Sequence, residues 1–564
     1  MALPSTALRK ASNALQLEAP GTSPEPMLHH SPTADILSWD IDPFEAIPDV
    51  TEHYLGHYFT NANTASYCMY PRDRFMEWAR RDREKTQAEK MLLYAMLAHG
   101  SVFSSKAAKT RNTDRKFFEN IAREAMGKSV GTFSLPMVQT RLVLAMLYYA
   151  LGNTLRSWDY CGMAIRAACG MKLNVEKGLQ CITADERPDF GFDRATLIEC
   201  RRRTFWSTYI MDRFSGFGSG HLCMLQNGNC LLRLPCDESA YARGEIPETP
   251  FFHTPIIDPK LSLEADRSGL GMMAHFVEVS AIWGDVLAQA YRSEYQPVEQ
   301  YGEPAEEFHQ QQMAKLENWK AGLSAHLHPS QDNIDRAFHG GYIGGFVSLW
   351  MLYHCAAMKL CRHARFQYME QEHIDRNLAQ ARHHAHEVLC MMPSLAKANR
   401  EKRMPESAFI ISTPFTSYGI FTSVDILTAA GSLREFPALL ELLSNGSEVV
   451  EELAQYWSAA KRQWRMIGER FDNLLSAVHE GAKAAERKEA EKMAFYAKKP
   501  MEVTFGLKHD LIYDVPLVQR MGAIGLQDLT YGGDELIEIK LQKQDAPPGR
   551  PVSAVDGVTS KCGR

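Results

Sequence analysis

The run Met137–Leu151 (MVQTRLVLAMLYYAL) is apolar on nearly every side. A helix with one apolar stripe can lie on a surface, but a helix apolar almost all round must be buried on several sides. Gly152-Asn153 then breaks the pattern, as a helix stop does. The next stretch sets Trp158, Cys161, Ile165, Ala168 and Met171 on one face at helical spacing. So short a connection makes the two helices antiparallel neighbours.

The rest of the chain follows the same period. Helical patterns cover Met272–Tyr291, Ala305–Leu327, Tyr342–Phe366, His373–Cys390 and Phe415–Ser432, and a long one runs from about Gly446 to Tyr496. Alternating strand patterns are almost absent, a stretch near Val503–Val515 being the main exception. The fold class is therefore all-α. A chain of 564 residues exceeds a single hydrophobic core, so a two-lobed multi-helix architecture is predicted. Composition divides it into a disordered leader (1–34), an N-terminal helical lobe (35–240), a linker (241–262), a C-terminal helical lobe (263–540) and a disordered tail (541–564). The linker lies within the polar, Pro-containing stretch Leu234–Ser262. No period of the length used by repeat arrays recurs.

The formal net charge of −6 gives no basic footprint of the kind that phosphate neutralisation needs. No apolar run approaches the length of a membrane span, and the N-terminus has no signal-like apolar core. The 12 cysteines are scattered through apparent helices, which reads as buried thiols in a reducing compartment.

From Arg194 the chain reads RATLIECRRRTFWSTYIMDRFSG. Glu199 can pair with Arg202 and Arg203 one turn on, Thr208 with Asp212 lies a turn further, and Trp206, Tyr209 and Arg213 share a face. Such a cluster either orients neighbouring helices from within a core or forms ordinary ion pairs on a surface helix. The pattern of Glu199, Arg201, Arg202, Arg203, Trp206, Tyr209, Asp212 and Arg213 resembles the central signature of the regulatory domain of fungal binuclear zinc-cluster transcription factors. Upstream, TEHYLGHYFTNAN, YPRDRFMEWARRD and LLYAMLAHGSVFS resemble the opening of that domain, with Tyr94, Ala98, Gly100 and Ser104 matching. Downstream, FHGGYIGGFVSLWMLYHCAAMKLCRHAR resembles a helix of its second half, with Tyr353, His354 and Arg362 matching. The resemblance spans about residues 35–480. Two features depart from it. Gly220-His221-Leu222 stands where the family has Gly-Arg-Pro, and no cysteine cluster precedes the first cysteine, Cys68.

Other candidates have plainer readings. Cys223, Cys230 and Cys236 beside His221 contain no CxxC pair, so packing is preferred to a metal site. His383, His384 and His386 read as a solvated polar face. GGYIGG (340–345) and GFGSG (216–220) lack the phosphate-loop ending and serve turns or close helix approach. The acidic-aromatic stretch Asp35–Asp49 has the composition of an activation segment, yet Leu37, Trp39, Ile41 and Phe44 are better read as anchors onto the first helix. Of the basic runs, 201–203 belongs to the signature helix, and the loop-like KANREKR (397–403) is the better nuclear-import candidate. Leu453, Trp457, Ala460, Trp464, Ile467, Phe471, Leu474 and Val478 form a heptad seam. Two Trp and a Phe are poor knobs for a zipper, so this seam is expected to pack on the domain.

The resemblance implies a nuclear transcription regulator for RNA polymerase II genes. The seven signature residues Glu199, Arg202, Arg203, Trp206, Tyr209, Asp212 and Arg213 are structural in role, and there are no catalytic, cofactor or metal residues. DNA would be reached only through a zinc-cluster module that is separate from this chain or was lost. Transcription machinery or a second copy of the chain would be further partners, with no membrane involved. A non-DNA-binding co-regulator or helical scaffold is the alternative. A helical metal-dependent enzyme is the weakest rival, since the sequence has no Asp-Asp pair, nucleophile elbow or P-loop.

Overall fold

The computed structural model describes residues 37–485 and 494–496, except for 65, 130–132, 182–186, 220–222, 253–266, 294–296, 298–301, 363–368, 402–412, 429 and 433–435. The longer helices, in chain order, are α1 (Pro48–Asn61), α2 (Gln87–Gly100), α3 (Ala108–Lys128), α4 (Leu135–Ala150), α5 (Thr154–Gly170), α6 (Arg194–Ser219), α7 (Met272–Ser293), α8 (Gly302–Ala321), α9 (Ile343–Arg362), α10 (Gln371–Cys390), α11 (Phe415–Leu427), α12 (Phe436–Ala454) and α13 (Ser458–Ala485). The fold is all-α. Among the described residues the one strand pairing is a short antiparallel pair, β1 (Ala430–Ser432) with β2 (Ala494–Tyr496). The β-like stretch 503–515 and the predicted leader and tail lie outside the described residues.

Local chemistry sets the helix ends. Between α4 and α5, Gly152 takes φ +77°, a left-handed conformation that glycine adopts without steric cost. The Asn153 side chain then accepts the Arg156 N–H at 3.2 Å and caps α5. α2 opens on a capping box: Thr86 Oγ1 accepts the Glu89 N–H at 3.2 Å, and Glu89 Oε2 accepts the Thr86 N–H at 2.7 Å. α4 is buried along its whole length apart from Arg141, enclosed by α2, α5 and α6.

α2 ends where α1 crosses it. A Cβ on Gly100 would lie 2.0 Å from the Tyr54 carbonyl oxygen, so glycine permits this approach. In the second half, α9 is buried from end to end, covered by α7, α8, α10 and α11. It is the one described helix long and apolar enough to cross a membrane by length and composition, and 94% of its most apolar window is buried inside the protein.

A continuous buried cluster runs from Phe44 to Leu474, through both halves of the chain. Phe214 of α6 joins the halves, with its ring 4.7 Å from Phe415 and 6.2 Å from Phe276. The expected linker is in part packed structure. Tyr241 is fully buried, and Phe251 bridges to Arg233; residues 253–262 of it lie outside the described residues. Backbone groups of this loop-rich region find partners in neighbouring loops, which makes it a folded strap.

Within the long helix expected from Gly446 to Tyr496, the described residues form parts of two helices, α12 and α13, broken at 455–457, and its last three, Ala494–Tyr496, are strand β2; residues 486–493 lie outside the described residues. The break turns Trp457 into the first half, where its ring lies 5.4 Å from Phe103 and 6.2 Å from His99. Arg111 fastens the same turn, donating to the Gln455 carbonyl at 3.0 Å. Burying one indole there outweighs continuing the helical ladder through two residues. Of the seam, Leu453, Trp457, Ala460, Ile467 and Leu474 are buried against the protein itself. The acidic-aromatic segment is anchored as well. Asp42 accepts from Lys85 Nζ at 2.5 Å, both buried, Ile41 O accepts from Tyr94 OH at 2.9 Å, and Lys128 lies 4.5 Å over the Trp39 ring.

Candidate functional site

α6 starts on Asp193, whose carboxylate accepts the Thr196 N–H at 3.0 Å and pairs with Arg74 at 2.7 Å. A carboxylate at this end satisfies an orphan N–H and complements the helix dipole. One turn in, Glu199 is fully buried. Its carboxylate accepts from Arg202, from Arg203 Nε at 2.8 Å and from the Cys236 N–H at 3.0 Å. Burial alone would raise the Glu199 pKa; Arg202, Arg203 and the Cys236 N–H outweigh it and hold the carboxyl below its ordinary value.

Each arginine carries the contact onward. Arg202 spans from Glu199 to Glu176, the first residue of a single helical turn (Glu176–Leu179) between α5 and α6, and Glu176 also accepts the Arg233 N–H at 3.2 Å. Arg203, with no exposed side-chain surface, donates to the Cys68 carbonyl at 3.1 Å and the Cys236 carbonyl at 2.6 Å. Its guanidinium also lies 4.4 Å over the Tyr241 ring. Only a guanidinium fork has donors enough for these partners at once.

The aromatic and acidic half of the signature clamps the following loop. Trp206 Nε1 donates to Arg233 O at 2.9 Å, and Tyr209 OH donates to Asn227 Oδ1 at 2.6 Å. Asp212 accepts the Met224 N–H at 3.0 Å and the Leu225 N–H at 2.9 Å, and it pairs with Arg213 at 2.8 Å. Burial raises the Asp212 pKa, with Arg213 and the two loop N–H groups opposing it. Arg213 stacks 3.6 Å over the Tyr209 ring and donates to Leu225 O at 2.8 Å. Gly284 lets α7 close on this arginine, because a Cβ there would meet Arg213 Nε at 3.1 Å.

All seven signature residues thus meet in one buried network along α6. Thr208 is outside it: its hydroxyl donates to the Thr204 carbonyl at 2.8 Å, because Asp212 is already taken by loop N–H groups. The partners Glu176, Asn227, Arg233 and Glu238 (3.9 Å from Arg203) come from single turns and loops between the longer helices, too short for a periodicity to mark them. A second polar tie joins elements far apart in sequence: Asp425 of α11 pairs with Arg362 at 3.3 Å and with Arg470 at 2.7 Å.

The remaining candidates fall elsewhere. Cys230 and Cys236 are buried in the strap and Cys223 is half-buried, and burial pushes all three thiols up to about 12. His221 and the Gly220–Leu222 departure lie outside the described residues. Among the described residues no group of three or more His, Cys, Asp or Glu side chains gathers to hold a metal ion. His384 is not solvated: it is buried against His354, with their Nδ1 atoms 3.0 Å apart, while His383 and His386 are exposed. The start of KANREKR is helical, and Arg400 there pairs with Glu448, so α12 has already matched part of its charge.

Residues 55–321 match the fungal specific transcription factor domain. Over those residues the chain is similar to that domain. The match takes in α6 with its whole network, the α4–α5 hairpin and the strap. The domain's relatives include a transcriptional regulatory protein of Schizosaccharomyces pombe, 28% identical over 41% of this chain and 24% of its own length. A Zn(2)-C6 fungal-type transcription factor of Fusarium oxysporum f. sp. lycopersici is 22% identical over 78% of this chain and 48% of its own. A pigment biosynthesis transcriptional activator of Monascus ruber is 24% identical over 42% of this chain and 41% of its own. The chain spans about half, or less, of the length of these relatives.

Proposed function

We propose that this chain is the regulatory part of a nuclear transcription regulator acting on RNA polymerase II genes, and that it is not an enzyme. The observation that carries this reading is the match of residues 55–321 to the fungal specific transcription factor domain. The α6 geometry supports a structural role for the signature. Arg202, Arg203 and Arg213 are committed to buried carboxylates, carbonyls and a tyrosine ring, so they are not offered to phosphates. DNA would be read by a zinc-cluster module separate from this chain, and the chain itself would need no cofactor. Its partners would be transcription machinery or a second copy.

The test is a fusion of residues 1–564 to an unrelated DNA-reading domain in a fungal cell carrying a matching reporter. The expected result is nuclear fusion protein and reporter transcription changed in either direction relative to the reader alone. Unchanged transcription from a folded nuclear fusion would overturn the reading. So would salt-sensitive, sequence-specific binding of duplex DNA by the purified chain, which would make it its own reader.

A further inference from the structure

Helices α7, α8, α9 and α10 line a cavity of about 440 Å³ in the second half of the chain, within the range of about 300–1,000 Å³ usual for small-molecule sites. Two polar ties hold α10 against α8 beside it. Arg376 grips Glu306 through two guanidinium nitrogens at 2.6 and 2.8 Å, and His309 Nε2 meets Gln380 Oε1 at 3.2 Å. Among the described residues, the apolar wall comes from Val286 and Ala290 of α7, Phe308 of α8, Leu360 of α9 and Met369 just before α10.

Two neutral polar side chains in this wall keep unused hydrogen-bonding capacity. His309 is 6% exposed. Burial, with repulsion from Arg376 adding to it, drops its imidazole pKa to about 4, so the ring is neutral near pH 7. Gln380 Oε1 accepts from His309 Nε2 and also from Cys361 Sγ at 3.6 Å, which puts the ring proton on Nε2 and leaves Nδ1 with a lone pair. Asn377 is 1% exposed, and its Oδ1 accepts from Arg376 at 3.0 Å. Neither His309 Nδ1 nor Asn377 Nδ2 has a hydrogen-bond partner among the described residues, and neither is sealed from water. Both residues line the cavity. It therefore offers one acceptor and one donor in an otherwise largely apolar wall.

We propose that this cavity binds a small uncharged, largely apolar molecule carrying one hydroxyl or carboxamide group, which donates to His309 Nδ1 and accepts from Asn377 Nδ2. Either group both donates and accepts, so it serves the two side chains at once. The charges in the lining disfavour an ion of either sign. Inside, Lys359 opposes a cation and Glu306, already held by Arg376, opposes an anion. Glu303 and Glu370 also line the cavity, but both are exposed, so water screens what attraction they offer a cation. A charged ligand would shed its own water without a free countercharge to replace it. Met369 adapts readily to the shape of an apolar body placed against it. An occupant would touch α7, α8, α9 and α10 together and tighten their packing. The site stands on its own geometry; that its occupant would regulate transcription rests on the proposed function.

Naphthol, naphthalene, naphthoate and naphthylmethylamine, each offered to the purified full chain up to its solubility, separate the readings by probe fluorescence and thermal melting. Naphthol should bind and raise the melting temperature. Naphthalene should bind about tenfold more weakly, the difference that one or two hydrogen bonds make, and the two charged probes should bind more weakly still. His309→Phe should bring naphthol down to the level of naphthalene. Ala305→Phe, which sets a ring into the cavity from α8, should abolish binding of both. If either variant fails to fold, naphthol against naphthalene on the unaltered chain still decides. No binding of naphthol would mean that the cavity holds water only and would overturn the proposal. Naphthol binding that survives Ala305→Phe would place the probe elsewhere and overturn the site. Equal affinity for naphthol and naphthalene would overturn the roles of His309 and Asn377, and preference for a charged probe would overturn the ligand class. None of these readings involves DNA or a reporter, so failure here is distinguishable from failure of the proposed function.

Discussion

At the scale of single residues, the decisive group is Arg203. It has no exposed side-chain surface and links Glu199, the Cys68 and Cys236 carbonyls and the Tyr241 ring. Removing one partner of a buried pair leaves the other charge without its match and costs about 3–5 kcal/mol. Arg203→Ala should therefore lower the melting temperature steeply, and Arg203→Lys should rescue little, since an ammonium cannot span the same fork. The exposed pair Arg81–Glu77, with side chains 79% and 56% exposed, is the internal comparison. Arg81→Ala should cost less than about 0.5 kcal/mol. Equal losses for the two substitutions would remove Arg203 from its orienting role.

At the scale of elements, two close approaches make opposite demands on sequence. At Gly100, α2 and α1 touch through the backbone, and a methyl would sit 2.0 Å from Tyr54 O. Gly100→Ala should cost about 1–3 kcal/mol by forcing the helices apart. Gly56 lies within α1 with nothing inside 4 Å of an added Cβ, so Gly56→Ala should gain up to about 1 kcal/mol. Urea midpoints of the pair measure both signs. The heptad seam of α13 makes the second case. Its period is legible in the sequence, but it faces the chain's own core, with Ile467 fully buried. Ile467→Asp should then lower the urea midpoint by the same amount at every protein concentration. A loss that shrinks as concentration rises would instead place the seam in a dimer.

At the scale of the whole molecule, buried histidines set the acid limit of the fold. Burial holds His99, His309 and His384 down to about 4, from an ordinary value of 6.5, and His354 well below it. His383 and Lys320 add repulsion at His384, and Arg376 adds it at His309. The unfolded chain takes up these protons below pH 6.5, while the folded chain resists until about 4. Stability is therefore full above pH 6.5 and falls as pH drops towards 4. The expected loss by pH 5 is about 1–2 kcal/mol per histidine. Chemical denaturation at pH 7, 6 and 5 checks this, and His384→Gln should flatten part of the slope. A flat profile over that window would show these rings to be solvated.

The sequence by itself determined the class of fold and the place of its central helix. The all-round apolar α4, the Gly152-Asn153 stop and the 3.6-residue period elsewhere leave no architecture but packed helices, because those signals are local to each segment. The order Glu199, Arg202, Arg203, Trp206, Tyr209, Asp212, Arg213 was likewise legible, since helical spacing alone puts Glu199 within reach of both arginines. What those side chains hold was not legible. Glu176, Asn227 and the carbonyls of Cys68 and Cys236 come from single turns and loops, and no period relates so short a segment to the helix it will meet. The same limit hid the break at 455–457, the burial of His384 and the helical start of KANREKR. In each case a local pattern permitted two states, and a distant partner chose between them: Phe103 and His99 for Trp457, His354 for His384, Glu448 for Arg400. Periodicity records which face of a segment avoids water. Only the tertiary structure decides what covers that face, because burial energy depends on contacts between segments that the sequence sets far apart.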